Sequence, residues 1–127
     1  MEKILGGFIA VLLVASPGAS FAHEEHGAGA SGAQTLTGEV VDVFCYLSHG
    51  EEGLGKKHAG CAKKCITGGL PVAIKVGDQL YLASMADHTA ANQRLADLAG
   101  QQVTVRGTVM ERDGQHLIAI SHVEKAD

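Results

Sequence analysis

Apolar and polar residues run together, thin out or alternate along this chain in ways that divide it before any motif is considered. From Ile4 to Val14 the side chains are mostly apolar, and small residues follow as far as Ser20-Phe21-Ala22. From His23 to Gln34 the sequence HEEHGAGASGAQ offers nothing large enough to bury. Beyond Leu36 an alternation sets in. Val41, Val43, Cys45 and Leu47 interleave with Val40, Asp42, Phe44 and Tyr46, which predicts a first strand buried on much of both faces. Ser48 to Gly69 breaks the pattern with glycines at 50, 53, 55, 60, 68 and 69. A structureless loop of that length is uncommon in a small domain, so a helix from Lys57 to Ile66 is expected inside it, stopped by Gly68 and Gly69.

The alternation resumes after Pro71. Val72, Ile74 and Val76 share one face of a second strand, Gly77-Asp78 supplies a turn, and Leu80 and Leu82 alternate with Tyr81 and Ala83 in a third. Asp87 or Thr89 can then cap a helix whose Ala91, Leu95 and Leu98 form one apolar stripe, with Gly100 as its stop. Val103, Val105 and Val109 mark a fourth strand, and Asp113-Gly114 turns the chain into a fifth over His116 to Val123. Gly38 and Gly107 interrupt strands where a small barrel needs bulges or sharp bends. Three strands, a helix and two strands are the order of an OB-fold barrel. The expected fold is therefore mainly β with one or two helices: a five-stranded OB-like barrel over residues 35–127, with a cysteine-bearing helical insertion between strands 1 and 2.

The segment Leu98-Ala-Gly-Gln-Gln-Val-Thr-Val-Arg-Gly-Thr-Val, with the strand from Leu117 to Val123, resembles the second half of the periplasmic bacterial OB-fold proteins. Gly38-Glu-Val-Val-Asp, Cys45-Tyr46, His58, Cys61-Ala62, Cys65 and Gly69-Leu-Pro71 resemble a group of uncharacterised exported bacterial domains that carry these cysteines. The likeness spans most of the chain after Thr35 through short, degenerate motifs. It implies a fold and an exported setting, and no particular activity.

The start of the chain points to the same setting. Lys3, the apolar run and the small residues before Ala22 have the three zones of a secretory signal, with cleavage expected after Ala22. The run is shorter than the roughly 20 residues of a spanning helix, so no membrane anchor is expected in the mature form. Residues 23–34 then read as a flexible leader. The location expected is periplasmic or secreted. A formal charge of -4 gives no general attraction to phosphate backbones. Nucleic acid is further disfavoured because the chain has no Trp, and Phe44, Tyr46 and Tyr81 are the aromatic residues beyond the signal. There is no G-x-S-x-G, H-E-x-x-H or glycine-rich phosphate loop, so an enzyme would have to work by thiol redox chemistry.

The chemistry on offer lies in the insertion. Three cysteines is an odd count for an exported domain, where one disulfide and a leftover thiol would be the plain expectation. If 58–65 is helical, His58, Cys61 and Cys65 fall within an arc of roughly 60°, and Cys45 at the end of the first strand can join them. Three sulfurs and an imidazole suit Zn or Cu(I), so Cys45, His58, Cys61 and Cys65 are the candidate ligands of a soft-metal binding or sensing protein. The C-x3-C pair is similar to the copper-binding pair of Sco-type chaperones, a likeness of ligand chemistry alone. Two other readings stand beside it. The cysteines can be structural, with a disulfide stapling the insertion to a module that binds a protein or small ligand; closing such a loop is worth about 3 kcal/mol. Alternatively, a strained Cys61–Cys65 disulfide would make a thiol–disulfide redox protein. Lys56, Lys57, Lys63 and Lys64 flank the cluster and would favour thiolate, or simply form a solvated helix face. His49 is near enough in sequence to assist. His23 and His26, with a new amino terminus at His23, could make a second site for Cu(II) or Ni(II).

Overall fold

A computed structural model describes residues 31–127; the expected signal, most of the expected leader, and His23 and His26 lie outside the described residues. The elements are β1 (Ser31–Asp42), α1 (Val43–His49), a 3-10 turn (Gly50–Gly53), α2 (Gly55–Thr67), β2 (Val72–Val76), β3 (Gln79–Met85), α3 (Asn92–Leu95) with a 3-10 turn (Ala96–Leu98), β4 (Gln102–Arg112) and β5 (Gln115–Lys125). The five strands close into a barrel in the order β1-β2-β3-β5-β4, and α1 and α2 lie between β1 and β2. Every seam is antiparallel except β3 with β5, which run parallel from Leu82↔Leu117 to Met85↔Ile120.

β1 closes the barrel by serving two neighbours in turn. Its first part pairs with β4 as far as Glu39↔Gln102, and its last four residues pair with β2 as far as Asp42↔Val72. The strand begins at Ser31, so residues 31–34, read from sequence as leader, belong to the sheet. Two glycines permit close approaches between strands, Gly38 at the β1–β2 seam and Gly107 at the β4–β5 seam. A Cβ at Gly38 would run into the Lys75 carbonyl, and one at Gly107 into the Ala119 carbonyl, where the β4–β5 register slips between Arg106 and Gly107. Only a residue with no side chain fits there.

The expected first strand is cut short. It was predicted to run to Leu47, but it stops at Asp42, and Val43–His49 is helical. Asp42 is the cause. Its carboxylate accepts from the backbone N–H groups of Phe44 (3.3 Å) and Cys45 (3.0 Å), which is an N-cap that starts a helix. The apolar alternation beyond it does not mark a strand: Phe44 and Leu47 are 61% and 71% exposed, while Cys45 is buried.

The second predicted helix is shorter than its stripe suggested. Neither Asp87 nor Thr89 caps it; the Asp87 carboxylate accepts from the N–H and hydroxyl of Thr89 in a local turn. Ala91 and Leu95 are nevertheless fully buried, as the stripe required. They join one core with Val40, Ile74, Val103, Val105, Ile118 and Ile120 from the strands and Ala62 and Ile66 from α2. Both hairpin turns are as expected, with Asp113 and Gly114 at φ 52° and 74°, the paired positive values of a type I′ turn.

Candidate metal centre

Helix α2 is fixed to the barrel at both ends. At its start the Glu39 carboxylate on β1 accepts from the Gly55 N–H at 2.6 Å. At its end the Asn92 amide donates to the carbonyls of Ile66 and Leu70, each at 2.8 Å. Lys63 and Asp97 pair across the exposed side at 2.6 Å. With Ala62 and Ile66 buried on the core side, the rotation of α2 about its axis is set, and so is the direction in which Cys61 and Cys65 project.

Helix α1 brings the third sulfur. The Val43 N–H donates to the Pro71 carbonyl at 3.0 Å, and the Asp42 cap fixes the first turn, which directs Cys45 inward. The sulfurs of Cys45, Cys61 and Cys65 all lie within 4.8 Å of one another. In a tetrahedral thiolate site with metal–sulfur bonds of about 2.3 Å, neighbouring sulfurs are roughly 3.8 Å apart, so a small inward movement would seat an ion. The three cysteines could therefore hold a metal. All three are free thiols, and they differ in access: Cys45 is buried, Cys65 half-buried and Cys61 exposed.

The helical arc predicted for His58, Cys61 and Cys65 rests on a helix that is present, since α2 spans all three. His58 does not join the three sulfurs in the compact group. Its Nε2 is buried and has no hydrogen-bond partner. A buried imidazole nitrogen without a partner is costly to keep, and a ligand or a proton acceptor is what it needs. His49 is exposed, its ring 6.5 Å from that of His58. His88, His116 and His122 lie elsewhere; His116 stands edge-on to Tyr81 at 5.6 Å and near Glu111.

The electrostatics differ from the expectation that lysines would favour thiolate. Hydrogen bonding to the Asp42 carboxylate pushes the Cys45 thiol far above its ordinary value of 9.0, and burial and the charge of Asp42 add to this. Burial pushes the Cys65 thiol up as well, against an opposing hydrogen bond with Cys45. The lysines contribute to neither shift. Lys63 is engaged by Asp97, whose carboxyl it holds below its usual range. In the metal-free protein, then, the inner thiols hold their protons at neutral pH, beside a fully buried carboxylate that would welcome a cation.

Asp42 is the residue that the period-two reading hides, because the pattern absorbs it into a strand buried on much of both faces. The signal for it is an Asp directly ahead of a short segment whose outward positions are as apolar as its inward ones. Asn92 was likewise read only as part of a helix, although it holds the end of α2. No family model, curated protein or solved structure matches this chain, so what the site does is argued from its own residues.

Proposed function

We propose that this protein binds a soft metal ion, Cu(I) or Zn, through the thiolates of Cys45, Cys61 and Cys65, with His58 Nε2 as the fourth donor. The convergence of three sulfurs from two helices within 4.8 Å carries the proposal. The buried His58 nitrogen supports the fourth position, since it lies on the same helix as Cys61 and Cys65 and has no hydrogen-bond partner of its own. Thiolate softness selects against hard cations such as Ca and Mg, and the ion would supply the charge that offsets three thiolates and Asp42. The role is binding or sensing; thiol redox is the one catalytic chemistry the residues suggest.

The setting belongs to the same proposal. The chain is taken to be exported, with residues 1–22 removed as a signal and a leader ending before β1, which opens an OB-like domain at Ser31 akin to the exported bacterial domains the chain resembles. The strand order, with a helix between β3 and β4 and parallel β3–β5 contact, supports the OB assignment.

A second reading draws on the same proximity. Sulfurs this close can also pair, and a bridge from Cys45 to Cys61 or Cys65 would tie α1 to α2 and leave one thiol. Thiol counting joined to native mass spectrometry separates the two. The metal reading expects three reactive thiols after mild reduction, all protected on adding one equivalent of Zn or Cu(I), with one ion per chain. A single free thiol that ignores metal would leave the disulfide-stapled module.

A further inference from the structure

The three thiols form a series from inside to outside, and α2 gives that series a direction. Measured around the helix from Cys61, Cys65 and His58 lie about 40° and 60° to one side, leading toward buried Ala62 and Ile66. Lys57 and Lys64 lie about 40° and 60° to the other side, at i-4 and i+3, the spacings that make helix neighbours. Both lysines are exposed, and neither forms an ion pair among the described residues. Lys63 is held by Asp97, and Lys56 projects well away from Cys61 on the same count. Two uncommitted ammonium groups thus flank the exposed thiol, on a chain whose formal charge is -4.

We propose that Cys61 is where the metal enters and leaves, and that the ion arrives as an anionic complex of a small carboxylate-bearing thiol drawn in by Lys57 and Lys64. This rests on the metal reading above. A hydrated cation would be repelled by two ammonium groups, whereas an anionic thiolate complex is attracted. Ligand exchange needs no oxidant. The Cys61 sulfur replaces one donor thiolate on the metal, and the displaced thiolate takes up the proton lost by Cys61 and leaves as the thiol. Cys65 and then Cys45 repeat the substitution, one metal–sulfur bond forming for each one broken. The oxidation state of the metal does not change. Asp42 and the depth of Cys45 place the last exchange where solvent cannot reverse it readily.

The test is stopped-flow metal uptake by the reduced full chain, followed by thiolate–metal absorbance. The metal is supplied as its complex with glutathione, which is anionic, or with 2-mercaptoethanol, which carries no carboxylate. At low salt, uptake from glutathione is expected to be faster by on the order of tenfold. That advantage should disappear at high ionic strength and in Lys57→Gln/Lys64→Gln, with the final metal content unchanged. Lys63→Gln, which removes a positive charge elsewhere on α2, should keep most of the advantage. Cys61→Ser should slow uptake more than Cys45→Ser, although each removes one sulfur. Equal rates from the two donors, equal effects of Lys63→Gln and the double variant, or the reverse order of the serine variants would overturn the exchange proposal and leave the metal centre standing. No uptake from either donor would instead overturn the metal reading itself.

Discussion

Asp42 has two roles at one position: it starts α1 through two backbone N–H bonds, and it faces the innermost thiol. The roles can be separated. Asp42→Ala loses the cap and should lower stability by about 1–2 kcal/mol in urea unfolding. Asp42→Asn keeps a capping oxygen but removes the charge, so stability should fall less. The Cys45 thiol should then become more acidic, and alkylation at pH 8 by iodoacetamide, mapped by mass spectrometry, should reach Cys45 sooner than in the parent. In the parent, Cys61 is exposed and should react first and Cys45 last. An unchanged order and rate in Asp42→Asn would mean that burial alone, not the carboxylate, governs this thiol.

At the scale of elements, the site depends on how α2 is fastened. Asn92→Ala removes the side chain that ties the end of α2 to α3 through the Ile66 and Leu70 carbonyls, although the Ile66 carbonyl keeps the Gly69 N–H. A loss of about 1–2 kcal/mol is expected, together with weaker competition against a chromophoric chelator for Zn. Retention of full metal affinity would show that the thiols do not need this anchor. Much of α2 was legible in the sequence, because glycines bounded it and its apolar residues fell on one side. The turn at Asp42 was not. α1 is seven residues long, too short for a helical period to show itself, and Val43, Cys45 and Leu47 fit an alternation equally well. Cys45 therefore reaches its place from a helix rather than from a strand end. What proximity the three sulfurs have is a tertiary fact, which spacing within α2 could suggest for Cys61 and Cys65 but not for Cys45.

For the molecule as a whole, the barrel was the most readable feature, since hairpin turns and valine alternation are local signals. The pairing of β1 with two partners is not local, and only Gly38 hinted at it. Gly107→Ala forces the Ala119 carbonyl to move and should cost about 2–3 kcal/mol, read as a lower urea midpoint. Stability should also depend on pH with a definite sign. The Cys45 thiol holds its proton more tightly folded than unfolded, so its contribution is complete below the ordinary value of 9.0 and is lost as pH rises above it. Thermal melts of the reduced, metal-free protein should therefore decline above about pH 9, and the decline should be shallower in Cys45→Ser. Zn or Cu(I) at pH 7 should raise the melting temperature, as any ligand selective for the native state does.

The seam between β1 and β4 has a consequence for how the chain is born. Thr37 and Thr104, hydrogen-bonded across it, are 67 residues apart in sequence. The wall cannot close around the apolar interior until the chain has been made past Thr104, and contacts of such range form slowly. Through that interval Cys45, sheltered in the finished protein, is as open to oxidants as Cys61, so reducing conditions during folding would favour a product with three thiols.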